Sequence, residues 1–229
     1  MPRPQRLNLP NIPQHVTQRG NNRQQCFFDD SDRYRYLAIL ESAACRRGCA
    51  VHAYVLMTNH VHLLVTPTSP DGVSKLMQDI GREYVRHINK TRKRTGTLWE
   101  GRFKSSLVDS ESYCLVCHRY IELNPVRAGM VDDPANYPWS SYSANALGMV
   151  NSLLTPHELW LSLGSDGNSR CREYRALFSE RLPEAVLEEI RHDNCKGLPL
   201  GRASFKAWLE SQLQIKLGTG KVGRPSNTT

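Results

Sequence analysis

Two runs rich in aliphatic and β-branched residues, 51–57 and 60–66, are separated only by Thr58-Asn59, a spacing that predicts a β-hairpin in the first third of the chain. Side chains alternate along a strand, so His60 and His62 share one face while Val61 points to the other. Their backbones would lie about 7 Å apart, close enough for two imidazoles to converge on one metal ion. Taken alone, the pair is better read as two partly exposed histidines on a half-buried strand, so a functional meaning depends on what surrounds it.

The flanking periodicities supply a fold. Gln14–Arg19 alternates as a strand and is broken by Gly20-Asn21-Asn22-Arg23. A helix capped by Asp30 or Ser31 carries Tyr36, Leu37, Leu40 and Ala44 and stops at Gly48. A second helix starts at Asp71, with Val73, Leu76, Ile80, Tyr84 and Ile88 on its apolar face, and ends in Lys90–Arg94. Leu98–Val108 reads as one long strand, with Trp99, Phe103 and Leu107 on one face and Arg102 and Lys104 on the other. A third helix is expected from Ser110 to about Asn124-Pro125. The order βαββαβα predicts an α+β fold: a ferredoxin-like split βαβ antiparallel sheet with one added helix.

Tyr137–Tyr142 reads as an irregular segment closing that unit. Candidate helices at 156–163, 170–181, 183–192 and 203–217 make a small helical C-terminal region. The expected division is therefore 1–145, a helical region 146–217, and a basic flexible tail 218–229 containing Gly223-Arg224-Pro225.

Lys and Arg outnumber Asp and Glu by 30 to 22, and this basic balance favours a polyanionic partner such as nucleic acid. No run approaches a membrane span, and the first residues lack a signal-peptide core, so a cytoplasmic protein without a membrane partner is expected. Seven cysteines form no paired framework and read as reduced thiols; Cys114-x-x-Cys117 has no second pair to complete a zinc ribbon.

A metal held by two histidines needs another ligand, and a reaction needs a nucleophile. Tyr120 and Asn124, four apart on the third helix, offer both on one face: a phenol for attack and an amide oxygen for a hard cation. Tyr113 is a rival nucleophile, although its i+4 partner is Cys117, a poor ligand for Mg2+. Tyr120 also fits a helix tyrosine packed on the sheet. For contacts to a polyanion such as nucleic acid the candidates are the turn Arg19, Asn21, Asn22 and Arg23, then Arg102 and Lys104, then Arg119 and Arg127 beside Tyr120.

Met57–Val65 resembles the histidine–hydrophobe–histidine motif of the HUH single-strand endonucleases. Arg119-Tyr120-Ile121-Glu122-Leu123-Asn124-Pro125-Val126-Arg127-Ala128-Gly129, followed by Tyr137-Pro138-Trp139-Ser140-Ser141, is similar to the single-tyrosine transposases. Gln14–Arg23 and Leu98–Lys104 add to the likeness, which spans roughly residues 8–145. Within the group, the chain resembles the REP-associated tyrosine transposases, relatives of the transposases of small hairpin-ended insertion sequences.

That resemblance implies a metal-dependent nickase and strand transferase acting on single-stranded DNA with palindromic hairpins, as a monomer or homodimer. His60 and His62 match the metal ligands, Tyr120 matches the nucleophile, and Asn124 stands where relatives carry a polar ligand, some of them glutamine. Mg2+ or Mn2+ is the implied cofactor, and a 5′-phosphotyrosine the implied intermediate. Two other readings stay open: a replication initiator or relaxase using the same chemistry, and a catalytically silent DNA-binding regulator.

Overall fold

The computed structural model describes residues 6–217; the basic tail expected at 218–229 lies outside them. Four strands, β1 (Gln14–Arg19), β2 (Cys49–Leu56), β3 (His60–Pro67) and β4 (Lys104–Leu107), form one antiparallel sheet in the order β2-β3-β1-β4. Helices α1 (Asp30–Arg47) and α2 (Gly72–Thr91) pack on one another and on β2 and β3. With α3 (Cys114–Glu122), the chain is α+β with the expected ferredoxin-like split βαβ order.

Periodicity explains the helices. In α2, Leu76, Ile80, Tyr84 and Ile88 recur every fourth residue and are all fully buried. Burial of each is worth about 1.5–3 kcal/mol, an upper range set against an extended chain. The Arg47 guanidinium grips Asp79 through two bonds, of 2.8 and 3.1 Å, and so clamps the end of α1 to α2. Gly48 ends α1 in the left-handed region (φ 58°), where a glycine carries no Cβ penalty.

Several boundaries differ from the sequence reading. The α1 cap is Asp29, whose carboxylate accepts from the Asp32 amide at 3.1 Å, in place of Asp30 or Ser31. The strand expected over 98–108 survives only as Lys104–Leu107, because Gly101 adopts φ 73° and turns the chain. Trp99 instead forms a single bridge to Gly20 and packs near Tyr84, so Trp99, Phe103 and Leu107 do not line one strand face.

The third helix starts late because Asp109 holds residues 111–112 in a turn, accepting from the Glu111 amide at 3.1 Å and the Ser112 hydroxyl at 2.8 Å. It breaks at Leu123, and Asn124 opens a separate turn, α4 (Asn124–Arg127), with Pro125, which has no amide hydrogen, inside it.

Beyond the sheet, α5 (Tyr142–Leu147) was not anticipated. The remaining helices are α6 (Glu158–Leu161), α7 (Gly167–Ala176), α8 (Glu184–Lys196) and α9 (Ala203–Leu213). This second half seals both sheet edges. Residues 139–155 bond to the outer side of β2, and Leu200 bridges the end of β4, so little open ladder is left for another strand. Leu187 and Ile190 of α8 belong to the same buried cluster as the sheet.

Candidate active site

Strand register builds one wall of the site. Arg19 on β1 lies opposite His60 on β3, and Thr17 opposite His62, so alternation puts His15, Thr17, Arg19, His60 and His62 on a common face. Thr17 also pairs with Lys104 on β4, extending that face to the edge strand. Helix α3 closes over it. The Tyr120 ring is buried with its centroid 5.7 Å from His62 and 5.6 Å from His15, both edge-on. Arg127 locks this helix end: its guanidinium lies 4.4 Å over the Tyr120 ring and donates to the Tyr120 carbonyl at 2.6 Å.

These side chains line a cavity of about 610 Å³ that also takes in Asn124, Arg102, Glu100 and, from α8, Arg191 and Asn194. Five cations (Arg19, Arg102, Lys104, Arg127, Arg191) face a single carboxylate, Glu100. Such a surplus in a concave site draws in a polyanion.

Of the residues singled out from sequence, the cavity gathers His60, His62, Tyr120, Asn124, Arg19, Arg102, Lys104 and Arg127. It does not gather Arg119, Asn21, Asn22 or Arg23. Arg119 precedes Tyr120 by one residue, about 100° around the helix, and its guanidinium donates to the Glu180 carbonyl. The Asn21–Arg23 turn sits beside the β2–β3 turn, where the Asn59 side chain donates to the Arg23 carbonyl at 2.9 Å. Tyr113, the rival nucleophile, lies outside the cavity with its hydroxyl bound to Glu189.

The histidines are neutral near pH 7. Burial, helped by the charge of Arg19, lowers His60 to about 4; burial and the adjoining His15 push His62 well below its ordinary value. Neutral imidazoles are the form that ligates. His60 Nδ1 lies 2.7 Å from Asn59 Oδ1, a bond that fixes the proton on Nδ1 and leaves Nε2 bare, and Asn124 lines the same cavity as the His60 ring. Two imidazoles and an amide thus fit a divalent ion of the Mg2+ or Mn2+ kind, with positions left for water and phosphate. Among the described residues no group of three or more His, Cys, Asp or Glu is arranged to hold a metal ion.

The family model of the IS200-like transposases matches residues 8–124, which carry the whole sheet, Tyr120 and Asn124 and amount to just over half of the chain. The chain belongs to the IS200-like transposase family. It is therefore a DNA-processing enzyme of the transposase kind. Its fold is similar to a solved REP-associated tyrosine transposase bound to a REP hairpin, with TM-score 0.55 and 18% identity, over 68% of this chain and 92% of that one. A candidate transposase of Deinococcus radiodurans R1 aligns over 50% of this chain and 92% of its own, at 22% identity and TM-score 0.36. No curated protein sequence matches the chain. Among the described residues of this transposase, no helix is long and apolar enough to cross a membrane.

Sequence reasoning missed His15, Asn194 and Arg191. His15 was visible: it lies two residues before Thr17, on the face that the β1–β3 pairing turns toward His62. Asn194 and Arg191 carry no signal, since only the docking of α8 beside β1 and β4 brings them in.

Proposed function

We propose that this transposase is a divalent-metal-dependent endonuclease and strand transferase acting on single-stranded DNA at or near palindromic repeat hairpins. The supporting observation is the convergence of Tyr120, His60, His62 and Asn124 on one cation-rimmed cavity. The hairpin substrate is suggested by the DNA in the similarly folded transposase structure. The unit that does this comprises residues 1–145, with 146–217 as a helical addition; the division follows chain order, since α8 shares the core of the sheet.

In this mechanism Arg19, Arg102, Lys104 and Arg127 bind the phosphates and orient the strand for in-line attack. The Tyr120 oxygen gives its proton to solvent and attacks phosphorus, the bond from phosphorus to the 3′ oxygen breaks, and that oxygen takes up a proton from solvent and leaves as a free 3′-OH. A 5′-phosphotyrosine on Tyr120 results. Attack by another 3′-OH reverses these bonds and joins strands, with no nucleotide cofactor consumed. His60, His62 and Asn124 would hold a divalent ion such as Mg2+ or Mn2+, which would supply Lewis-acid stabilisation of the phosphoryl oxygens. Packing of the Tyr120 ring against His62, His15 and Arg127 restricts the nucleophile in advance, which lowers the entropy cost of the attack.

The test is incubation of hairpin-bearing single strands with Mg2+ or Mn2+, followed by detection of a protein–DNA adduct. The wild type and Tyr113→Phe form it, whereas Tyr120→Phe does not. An adduct in Tyr120→Phe overturns the nucleophile. Hairpin binding without any adduct favours the silent regulator, and a preference for an origin sequence over repeat hairpins favours an initiator.

A further inference from the structure

The cavity around Tyr120 does not end at Lys104. A second, smaller cavity of about 290 Å³ continues from it, and Glu100, Arg102, Lys104 and Cys195 line both. One side is the loop leading into β4, and the other is the C-terminal end of α8. The two sides touch: Lys104 Nζ donates to Cys195 Sγ at 3.0 Å, and a Cβ on Gly197 would stand 3.6 Å from the Ser105 carbonyl oxygen. Arg6 and Phe103 add a flat piece of wall. The Arg6 guanidinium lies 3.7 Å over the Phe103 ring and donates to the Phe103 carbonyl at 2.8 Å.

The charges of this cavity suit one kind of guest. Arg6, Arg102, Lys104 and Lys196 line it, and burial together with the charge of Arg102 lowers the Arg6 pKa. Among the described residues none of the four joins an ion pair. Gathered cations without counter-charges favour a polyanion such as a phosphodiester chain. Glu100 is the one carboxylate on the lining of either cavity, and among the described residues it too makes no ion pair. The main chain fixes its place: its amide donates to the Arg19 carbonyl at 2.8 Å, and Gly101, at φ 73°, turns the chain directly after it. A carboxylate there repels phosphate, but it accepts hydrogen bonds from base amino groups.

We propose that this second cavity is a subsite for one unpaired nucleotide of the DNA strand. The base stacks on the Arg6–Phe103 plate, Glu100 accepts from its exocyclic amine, and Arg102 and Lys196 hold its flanking phosphates. The subsite rests on the single-strand reading of the cavity around Tyr120, which it extends, and it makes the end of α8 a wall of the DNA path. Cytosine, adenine and guanine carry an exocyclic amine. Thymine carries none, and its ring N–H lies between two carbonyl oxygens that repel a carboxylate. Glu100 therefore discriminates against thymine at this position of the strand.

The experiment measures binding of the full chain, by fluorescence anisotropy at fixed salt, to hairpin oligonucleotides that differ only in their unpaired flanks: all-dC, all-dA or all-dT. Cytosine and thymine match in ring size, so the dC-to-dT ratio isolates the amine. Expected is a wild type that favours dC and dA flanks over dT by about 10-fold. Glu100→Gln, which can donate to thymine as well as accept from cytosine, loses that preference and binds dT flanks more tightly than the wild type does. Phe103→Leu weakens all three flanks alike, by about 5-fold or more. Thermal unfolding checks each variant, and Arg6→Ala repeats the test of the plate should Phe103→Leu fail to fold. A wild type that forms the Tyr120 adduct yet binds dC and dT flanks equally, or a dC preference that persists in Glu100→Gln, overturns the subsite and leaves the Tyr120 reading standing. Wild-type affinity in folded Phe103→Leu or Arg6→Ala overturns the stacking plate. A wild type that binds no hairpin strand overturns both readings.

Discussion

The Tyr174 hydroxyl on α7 donates to Glu122 Oε2 on α3 at 2.7 Å, and both side chains are completely buried. Asn145 donates to the other carboxyl oxygen at 2.9 Å and Ser141 at 2.5 Å, so one carboxyl group ties the helix that bears Tyr120 to α5 and α7. Burial pushes Glu122 up to about 7, against the three hydrogen bonds that favour its charged form.

The first prediction follows from that shift. Between the ordinary value near 4.5 and about 7, the folded chain holds a proton on Glu122 that the unfolded chain has released. Stability from this group is therefore present below pH 4.5 and falls as pH rises to 7, by about 3 kcal/mol. Glu122→Gln cannot ionise. Its stability relative to wild type, from urea unfolding at a series of pH values, should rise by about that amount across the window and level off above it. A difference that stays flat with pH rejects the shift. Taking the variant-minus-wild-type difference matters, because the buried neutral histidines oppose the trend.

Those histidines give a second prediction, of opposite sign. His52 sits at the β2 irregularity between Val51 and Ala53, with Nδ1 at 2.7 Å from the Thr155 carbonyl and Nε2 at 2.8 Å from the Thr66 hydroxyl. Burial lowers it to about 4. The unfolded chain takes up the proton first as pH falls below 6.5, so stability is present above that value and is lost down to pH 4. His52→Gln should remove on the order of 3 kcal/mol of that acid sensitivity, seen as a shallower fall in unfolding free energy between pH 6.5 and 4. An unchanged slope would place the acid sensitivity elsewhere.

Gly20 supplies a third. Its φ is ordinary, but a Cβ there would stand 2.1 Å from the Gln24 backbone oxygen and 3.3 Å from that of Asn59. Backbone at that distance cannot rotate away. Gly20→Ala should therefore cost about 2 kcal/mol or more and lower Tm by about 4–8 °C, while disturbing the turn that holds Asn59 next to His60. A Gly20→Ala protein that melts with the wild type would show that the Gly20–Gln24 turn yields easily.

How much of this was legible in the sequence depends on whether a signal is local. Alternation in 14–19 and 60–66 and the four-residue repeat of Leu76, Ile80, Tyr84 and Ile88 are local, and these elements appear where their patterns place them. The His60–His62 face and the Tyr120–Asn124 spacing are equally local, and all four residues meet in the cavity. The strand over 98–108 failed because alternation ran through Gly101, whose positive φ depends on the turn chosen there and not on hydrophobic pattern. Asn124 kept its place in the site although the helix broke before it, because Leu123 and Asn124 continue the hydrogen bonding into α4. Asn194 touches His15 across 179 positions of chain, a contact created by packing alone.

The last prediction separates cations that line the cavity from those that do not. Arg102 and Lys104 face it with Arg19, whereas Arg119 and Arg23 do not line it. If the first set contacts phosphates of a bound single strand, each contact releases counterions, and the slope of log affinity against log salt carries about 0.7 per phosphate. Arg102→Ala and Lys104→Ala should each weaken hairpin binding and flatten that slope by about 0.7, and the double variant by about 1.4. Arg23→Ala should leave the slope at its wild-type value. Arg119→Ala should do the same, although it removes the contact to the Glu180 carbonyl and lowers stability. Fluorescence anisotropy of a labelled hairpin strand across a salt series reads all five variants. A slope that falls for Arg23→Ala and Arg119→Ala but not for Arg102→Ala and Lys104→Ala would move the bound strand off the cavity.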